Sequence, residues 1–206
     1  MRSIKKSQLK SPVLPDTGQP AARVRMLEAA LKLFARQGFH GTSTRELATA
    51  LEVQPSALYA HFASKEDVLA ELTELGWSAH HKALQGALLE AGPKPVDQLR
   101  AVVQANARFH AAWPLLAIVA HEEAHALPEA RARVVQVLRQ QTVELLVQVL
   151  ERGATTKAFS LVDVQTTVAA IGAMALRIPW WFEPTEAFTV DALAKAQAEL
   201  ALRMVG

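Results

Sequence analysis

Residues 39–67 read Phe39-His-Gly-Thr-Ser-Thr-Arg-Glu-Leu-Ala-Thr-Ala-Leu-Glu-Val-Gln-Pro-Ser-Ala-Leu-Tyr-Ala-His-Phe-Ala-Ser-Lys-Glu-Asp67. Two short helical patterns lie in this stretch. Leu47, Ala48 and Leu51 give the first an apolar face, and Leu58 and Phe62, four apart, give the second one. Ser43 with Glu46 three residues on forms a capping box, so the first helix starts there. Val53-Gln54-Pro55 is the turn, and Pro55 pre-sets the first residue of the second helix, expected over 55–63. Ser64-x-x-Asp67 is another capping signal, and Glu66 adds charge that suits the dipole of a following helix. Two short helices joined by a tight turn form a helix-turn-helix, whose second helix can enter a DNA major groove.

Such short helices cannot bury enough surface alone. Their support is the segment before them. Pro20 opens a helix through Val24, Leu27, Ala30, Leu31 and Phe34, and Gly38 is expected to end it as a left-handed cap. Arg23 and Arg25 near its start are placed to reach phosphates.

The chain has 206 residues, half of them hydrophobic, and no cysteine. That excludes a disulfide framework and thiolate metal sites, and suits the cytoplasm. The basic first residues are not followed by an apolar run, so no signal peptide is read. Apolar runs such as 168–176 fall far short of the ~18 residues a membrane span needs. Charge is unevenly placed. Residues 1–65 hold ten Lys/Arg against four Asp/Glu, whereas 66–206 hold twelve against sixteen. A basic N-terminal third on an acidic remainder suits a polyanion partner for one part only. Residues 1–19, with Arg2, Lys5, Lys6 and Lys10 among Ser, Gln, Pro and Gly, read as a disordered basic tail. Such a tail is either an inert terminus or an arm adding phosphate contacts.

Beyond residue 65 every segment reads as helix: 65–90, 96–113, 114 to about 126, 129–152, 163–178 and 190–204. Gly92-Pro93, Pro114, Pro128, Gly153 and Pro179 serve as breaks, and Phe159 as a plug in the loop after Gly153. The fold class is all-α. A three-helix helix-turn-helix domain is expected over 20–65 and a second, all-helical domain over 66–206.

Gly38, Thr42, Ser43, Glu46, Leu47 and Ala48, followed by Val53, Leu58, Tyr59, His61, Phe62, Ser64, Lys65 and Glu66, resemble the DNA-binding domain of TetR-type (tetracycline-repressor-like) transcriptional regulators. The resemblance is close over about residues 22–70 and further on extends only to helix number and length. It implies a homodimeric regulator, with three helices on DNA, a ligand-binding body and the last two helices pairing with their copies. Gln54 departs from the pattern, where a Ser cap is common.

With Leu58 and Phe62 turned inward, positions 55, 56, 59, 60 and 63 turn outward. Ser56 and Tyr59 can hydrogen-bond to bases or phosphates, and Ala57 is small enough to meet a thymine methyl. Gln54 and Pro55 stand at the helix entrance, and Arg45 suits guanine or phosphate. Thr44, His61 and Lys65 match family positions that touch the DNA backbone. The outward face carries no Lys or Arg between Arg45 and Lys65, so affinity is expected mainly from the flanks.

His121-Glu122-Glu123-Ala124-His125 fits the zinc-peptidase pattern His-Glu-x-x-His, which places two histidines on one helix face with Glu122 as a base. A third ligand is needed, and Glu144 is eligible only by distance. A metal-sensing regulator using His121 and His125, or a zinc-dependent hydrolase, are therefore the competing classes. The main expectation includes no cofactor, metal or catalytic residue.

The effector is expected among aromatic side chains, Trp77, Phe109, Trp113, Trp180, Trp181 and Phe182, with His110, His121, Met174 and Arg177 beside them. Trp180-Trp181-Phe182-x-Pro184 after an Ala-rich helix resembles the subset of the family that responds to acyl-CoA or another apolar ligand. Ala169, Ala170, Gly172, Ala173 and Ala175, with Leu193, Ala194, Ala196, Leu200 and Leu202, form a surface too apolar to stay wet, which suits a homodimer. The expected function is a cytoplasmic repressor released from a double-stranded operator by a small molecule.

Overall fold

The computed structural model describes residues 4–9 and 13–206, apart from the Lys6 side chain. Among the described residues ten α-helices follow in order: α1 (Ala21–Gln37), α2 (Thr44–Ala50), α3 (Pro55–Tyr59), α4 (Lys65–Glu90), α5 (Pro95–Ala112), α6 (Pro114–Glu122), α7 (Glu129–Thr155), α8 (Val164–Leu176), α9 (Ile178–Trp181) and α10 (Val190–Met204). Among the described residues there is no strand, and no helix is long and apolar enough to cross a membrane.

Two compact units share the chain. The first comprises residues 1–77 and 113–136. Its core holds Leu27, Leu31 and Phe34 of α1, Leu47 of α2, Leu58 of α3, Leu69 and Leu72 of α4, and Leu115 and Leu116 of α6, all buried. α6 packs on α1. It also lies against α4, where a Cβ on Gly76 would stand 2.8 Å from the Ala120 Cβ. The Trp77 indole donates to the Ala120 carbonyl at 3.2 Å. The unit thus includes α6 and the start of α7, beyond the boundary at residue 65 that the sequence suggests.

The second unit comprises residues 78–112 and 137–206. α5 packs along α10. One core cluster joins Leu99, Val102 and Val103 of α5 to Leu150 of α7, Ile171 of α8 and Ala198 and Ala201 of α10. A second joins Ala107, Ala175, Ile178, Phe182, Leu193 and Ala194. Asp163 caps α8 through the Thr166 amide at 2.6 Å, and Thr189 caps α10 through the Ala192 amide at 3.2 Å.

The structure revises several boundaries. Gly38 has φ 80 and ψ 164, an extended conformation of positive φ that favours glycine, rather than a left-handed cap. Gly153 does not end α7; it lies inside the helix and makes room for Phe159, whose ring carbons would stand 1.9–2.6 Å from a Cβ there. The chain leaves α7 at Lys157, with φ 59. The tail expected to be structureless contains a 3-10 turn at Lys6–Leu9, in which the Lys5 amide donates to the Gln8 Oε1 at 3.0 Å, and Val13 and Leu14 are buried. Arg2 and Lys10 lie outside the described residues.

Candidate nucleic-acid interface

The helix-turn-helix forms as its caps dictate. Ser43 Oγ accepts from the Glu46 amide at 3.2 Å while Glu46 Oε2 accepts from the Ser43 amide at 2.7 Å. The backbone hydrogen bond from Ser43, with help from the Gln37 amide, holds the Glu46 carboxyl below its usual range. Ser64 Oγ accepts from the Asp67 amide at 3.1 Å, but Asp67 returns to the Ser64 hydroxyl rather than its backbone, a half-formed box. At Gln54 no side-chain cap forms, so Pro55 alone sets the start of α3.

α3 ends at Tyr59, four residues before the expected end. The His61 and Phe62 amides both donate to the Leu58 carbonyl at 3.0 Å, so the last turn tightens and both Leu58 and Phe62 stay buried. Gln54, Pro55, Ser56, Tyr59, Ala60 and Ala63 face outward, Tyr59 with 57% of its surface exposed. Ala57 and Thr44 are half-buried, and Arg45 and His61 are exposed.

Two expected phosphate contacts are engaged elsewhere. The Lys65 ammonium donates to the carbonyls of Phe39 at 2.9 Å and Thr42 at 2.7 Å and lies 4.0 Å over the Phe39 ring. Two of its three donors are therefore spent on the loop between α1 and α2. Arg23 forms a two-pronged ion pair with Glu71, donates to the His61 carbonyl at 2.6 Å and covers the Phe62 ring at 4.1 Å. Arg25 is exposed. Each cation moves inward because a carbonyl or carboxylate and an aromatic face coincide within its reach. Lys65→Met should lower the melting temperature by a few degrees, a loss of about 1–2 kcal/mol, and leave the salt dependence of DNA binding unchanged. Thermal melts and binding titrations across salt would check both.

The His-Glu-x-x-His expectation is corrected. α6 ends at Glu122, and His125 belongs to a separate 3-10 turn at Ala124–Ala126, so the two histidines do not share a continuous helix face. Glu123 has φ −102 and ψ −5, and its carboxylate turns away to the Phe39 amide at 2.9 Å. His121 packs edge-on to Trp77 at 4.4 Å, and His125 Nδ1 donates to the Glu122 carbonyl at 2.8 Å. Among the described residues no three His, Asp or Glu side chains are arranged to hold a metal.

The expected effector residues divide between the units. In the first, Trp77 and His121 meet, and Trp113 is the half-buried residue ahead of α6. In the second, Phe109 and His110 meet around His80, a residue outside the expected set. His80 stacks on Phe109 at 4.6 Å and lies edge-on to His110 at 5.1 Å. His80 Nε2 donates to the Asn106 side-chain oxygen at 2.8 Å, and His110 Nδ1 donates to the Asn106 carbonyl at 2.9 Å. Burial, then the neighbouring His110, pushes the His80 pKa down to about 3; burial pushes His110 down to about 4. Both are therefore neutral at physiological pH. Met174 borders the α5–α7–α10 core. Arg177 is exposed at the junction of α8 and α9, where the chain turns into Ile178-Pro179. Trp181 is half exposed and stacks with Phe188 at 6.5 Å instead of entering the core. Helical spacing reveals His80, since it continues the buried row Leu69, Thr73, Trp77 and Leu84 along α4.

Comparison with known proteins accords with this geometry. Residues 26–72 match the family described as bacterial regulatory proteins, tetR family, and residues 92–205 match the tetracyclin repressor-like C-terminal domain. The HTH-type transcriptional repressor KstR2 of Rhodococcus jostii (strain RHA1) is 28% identical over 194 residues, 93% of this chain and 95% of its own length. The crystal structure of the TetR family regulator PfmR from Thermus thermophilus superposes with a TM-score of 0.77 at 32% identity, covering 87% of this chain and 97% of that one. AibR, solved in complex with isovaleryl coenzyme A and operator DNA, has the same fold, with a TM-score of 0.77 at 22% identity over 86% of this chain and 96% of that one. With both halves matched and a helix-turn-helix presenting Gln54, Ser56 and Tyr59 outward, the chain belongs to the tetR family and is a DNA-binding transcriptional regulator.

Proposed function

We propose that this chain is a homodimeric repressor that reads a two-fold operator through α3 and is released by an acyl-CoA or a similar apolar acyl compound. The observation that carries the DNA reading is the outward face of α3. Gln54, Ser56 and Tyr59 stand over a buried Leu58–Phe62 floor, with exposed Arg45 alongside. Direct base reading falls to the polar groups of this face, and Arg45 and Arg25 supply phosphate contacts. Thr44 and His61 flank them, with Pro55 and Ala57 in van der Waals reach. The repressor role follows that of KstR2, and the acyl-CoA class follows the ligand of AibR. The work of the chain is then binding rather than catalysis, carried out on cytoplasmic DNA.

The dimer face is narrower than the sequence suggests. Ala175, Leu193 and Ala194 are buried within the protomer. Ala169, Ala173 and Leu176 of α8, and Ala196, Leu200 and Met204 of α10, remain exposed for a second copy. Reading a two-fold operator takes two copies of α3, one for each of two half-sites about one DNA turn, ~34 Å, apart.

In vitro selection with the wild-type protein should return a palindromic duplex. Arg45→Ala and Tyr59→Ala should each weaken its binding by about 1–3 kcal/mol, and raised salt should weaken it steeply. Wild-type affinity in both variants would refute the reading of α3. Isovaleryl-CoA should release that duplex where CoA and free isovalerate do not; equal effects of all three would remove the acyl thioester as the effector class.

A further inference from the structure

Phe39 lies in the loop between α1 and α2, and its two backbone polar groups are held from two different helices. Its carbonyl accepts from Lys65, the first residue of α4. Its amide donates to Glu123, the C-cap residue just after α6, at 2.9 Å and 84 positions away in sequence. Glu123 is 3% exposed. Gly38 precedes Phe39 with a φ of 80, a conformation that side chains rarely adopt, and its Cα side lies in ordinary van der Waals range of the Glu123 carboxylate. The loop is braced internally by Thr42 Oγ1, which donates to the Gly38 carbonyl at 2.8 Å, and Phe39 packs edge-on to Phe34 of α1 at 5.4 Å. α6 is itself registered on α4 by the Trp77–Ala120 hydrogen bond and by the close seat at Gly76.

We infer that Glu123 is a positioning residue for DNA reading: its carboxylate, through the Phe39 amide, fixes the loop from which α2 and α3 depart. A buried, charge-assisted hydrogen bond is directional and strong, and its loss leaves the Phe39 amide without that acceptor. The angle of the reading head is then set jointly by α4 and by α6. The inference rests on operator binding through α3, and it assigns Glu123 no contact with DNA.

The test uses the duplex selected by the wild-type protein. Glu123→Ala should bind it at least ~10-fold more weakly while circular dichroism shows a folded chain. Its slope of log affinity against log salt should match the wild type, because no phosphate contact is lost. Glu123→Gln, whose amide oxygen can accept from Phe39 at the same place, should stay within about threefold of wild type. A folded Ala variant with wild-type affinity overturns the inference, as does a slope shifted by about one, the mark of a lost phosphate contact. Should the Ala variant fail to fold, the Gln variant decides: retained affinity supports the inference and a tenfold loss in a folded protein overturns it. Hydrogen exchange on the wild type supplies a measurement that needs neither variant nor DNA. The Phe39 amide should be protected to the level of α1, and rapid exchange there overturns the inference. Failure to select any duplex would instead count against the operator reading, and the exchange result would still stand.

Discussion

Gly153→Ala should destabilise the protein by about 3 kcal/mol, although alanine is normally the better helix residue by about 1 kcal/mol. The added methyl would stand 1.9 Å, 2.2 Å and 2.6 Å from three ring carbons of Phe159, which is itself buried. Neither group can move aside freely. Gly153 is in the backbone of α7, and the Phe159 amide is tied back to the Gly153 carbonyl at 3.1 Å. Urea denaturation would measure the loss. Gly86 of α4 is the matched control, because a Cβ there meets nothing within 4 Å, and its alanine variant should be more stable by about 0.5–1 kcal/mol. Adding Phe159→Ala to Gly153→Ala should cost much less than the ~3–5 kcal/mol expected of Phe159→Ala alone, since the new methyl would occupy space the ring has vacated.

Acid should unfold the second unit through His80 and His110. Their pKa values are lowered from the ordinary 6.5 to about 3 and about 4. Between those values and 6.5 the unfolded chain takes up protons that the folded chain refuses, so stability falls as pH falls. The stabilisation of the neutral pair is fully present above about pH 6.5, declines below it and stops declining once the folded histidines protonate. Each histidine contributes a slope of about 1.4 kcal/mol per pH unit inside its window. Denaturant midpoints measured from about pH 7 to about pH 4.5 should therefore drop steeply. His80→Phe, which keeps a ring to stack on Phe109, should roughly halve the slope. An unchanged slope would mean the acid sensitivity comes from other groups.

The helix-turn-helix was legible because its determinants are local. The Ser43–Glu46 box and Pro55 act within a few residues of themselves and formed as the sequence prescribes, and Leu58 and Phe62 are both buried although the helix stops at Tyr59. What stayed hidden depends on partners far along the chain. Nothing near Lys65 or Arg23 announces that their charges will be captured by the Phe39 carbonyl or by Glu71. Gly153 looked like a stop because glycine usually is one, and only the arrival of Phe159 explains a glycine inside the helix. His-Glu-x-x-His looked continuous because a pattern of spacing assumes an unbroken helix, whereas Glu123 leaves the helix to reach Phe39. His80 and Asn106 could have been found from the apolar rows of α4 and α5, where each takes a core position.

Tyr59 is the sole tyrosine of the chain, and it stands exposed on α3, while all four tryptophans lie outside the helix-turn-helix. A phenol-selective reagent therefore acts as a single-site footprint. Nitration of the intact protein labels one phenol ring, and protection of that ring by a duplex reports occupancy of the reading helix directly. The tryptophan emission, in turn, comes only from outside that helix. Docking of the reading head and rearrangement elsewhere in the chain can thus be timed separately in one unlabelled molecule.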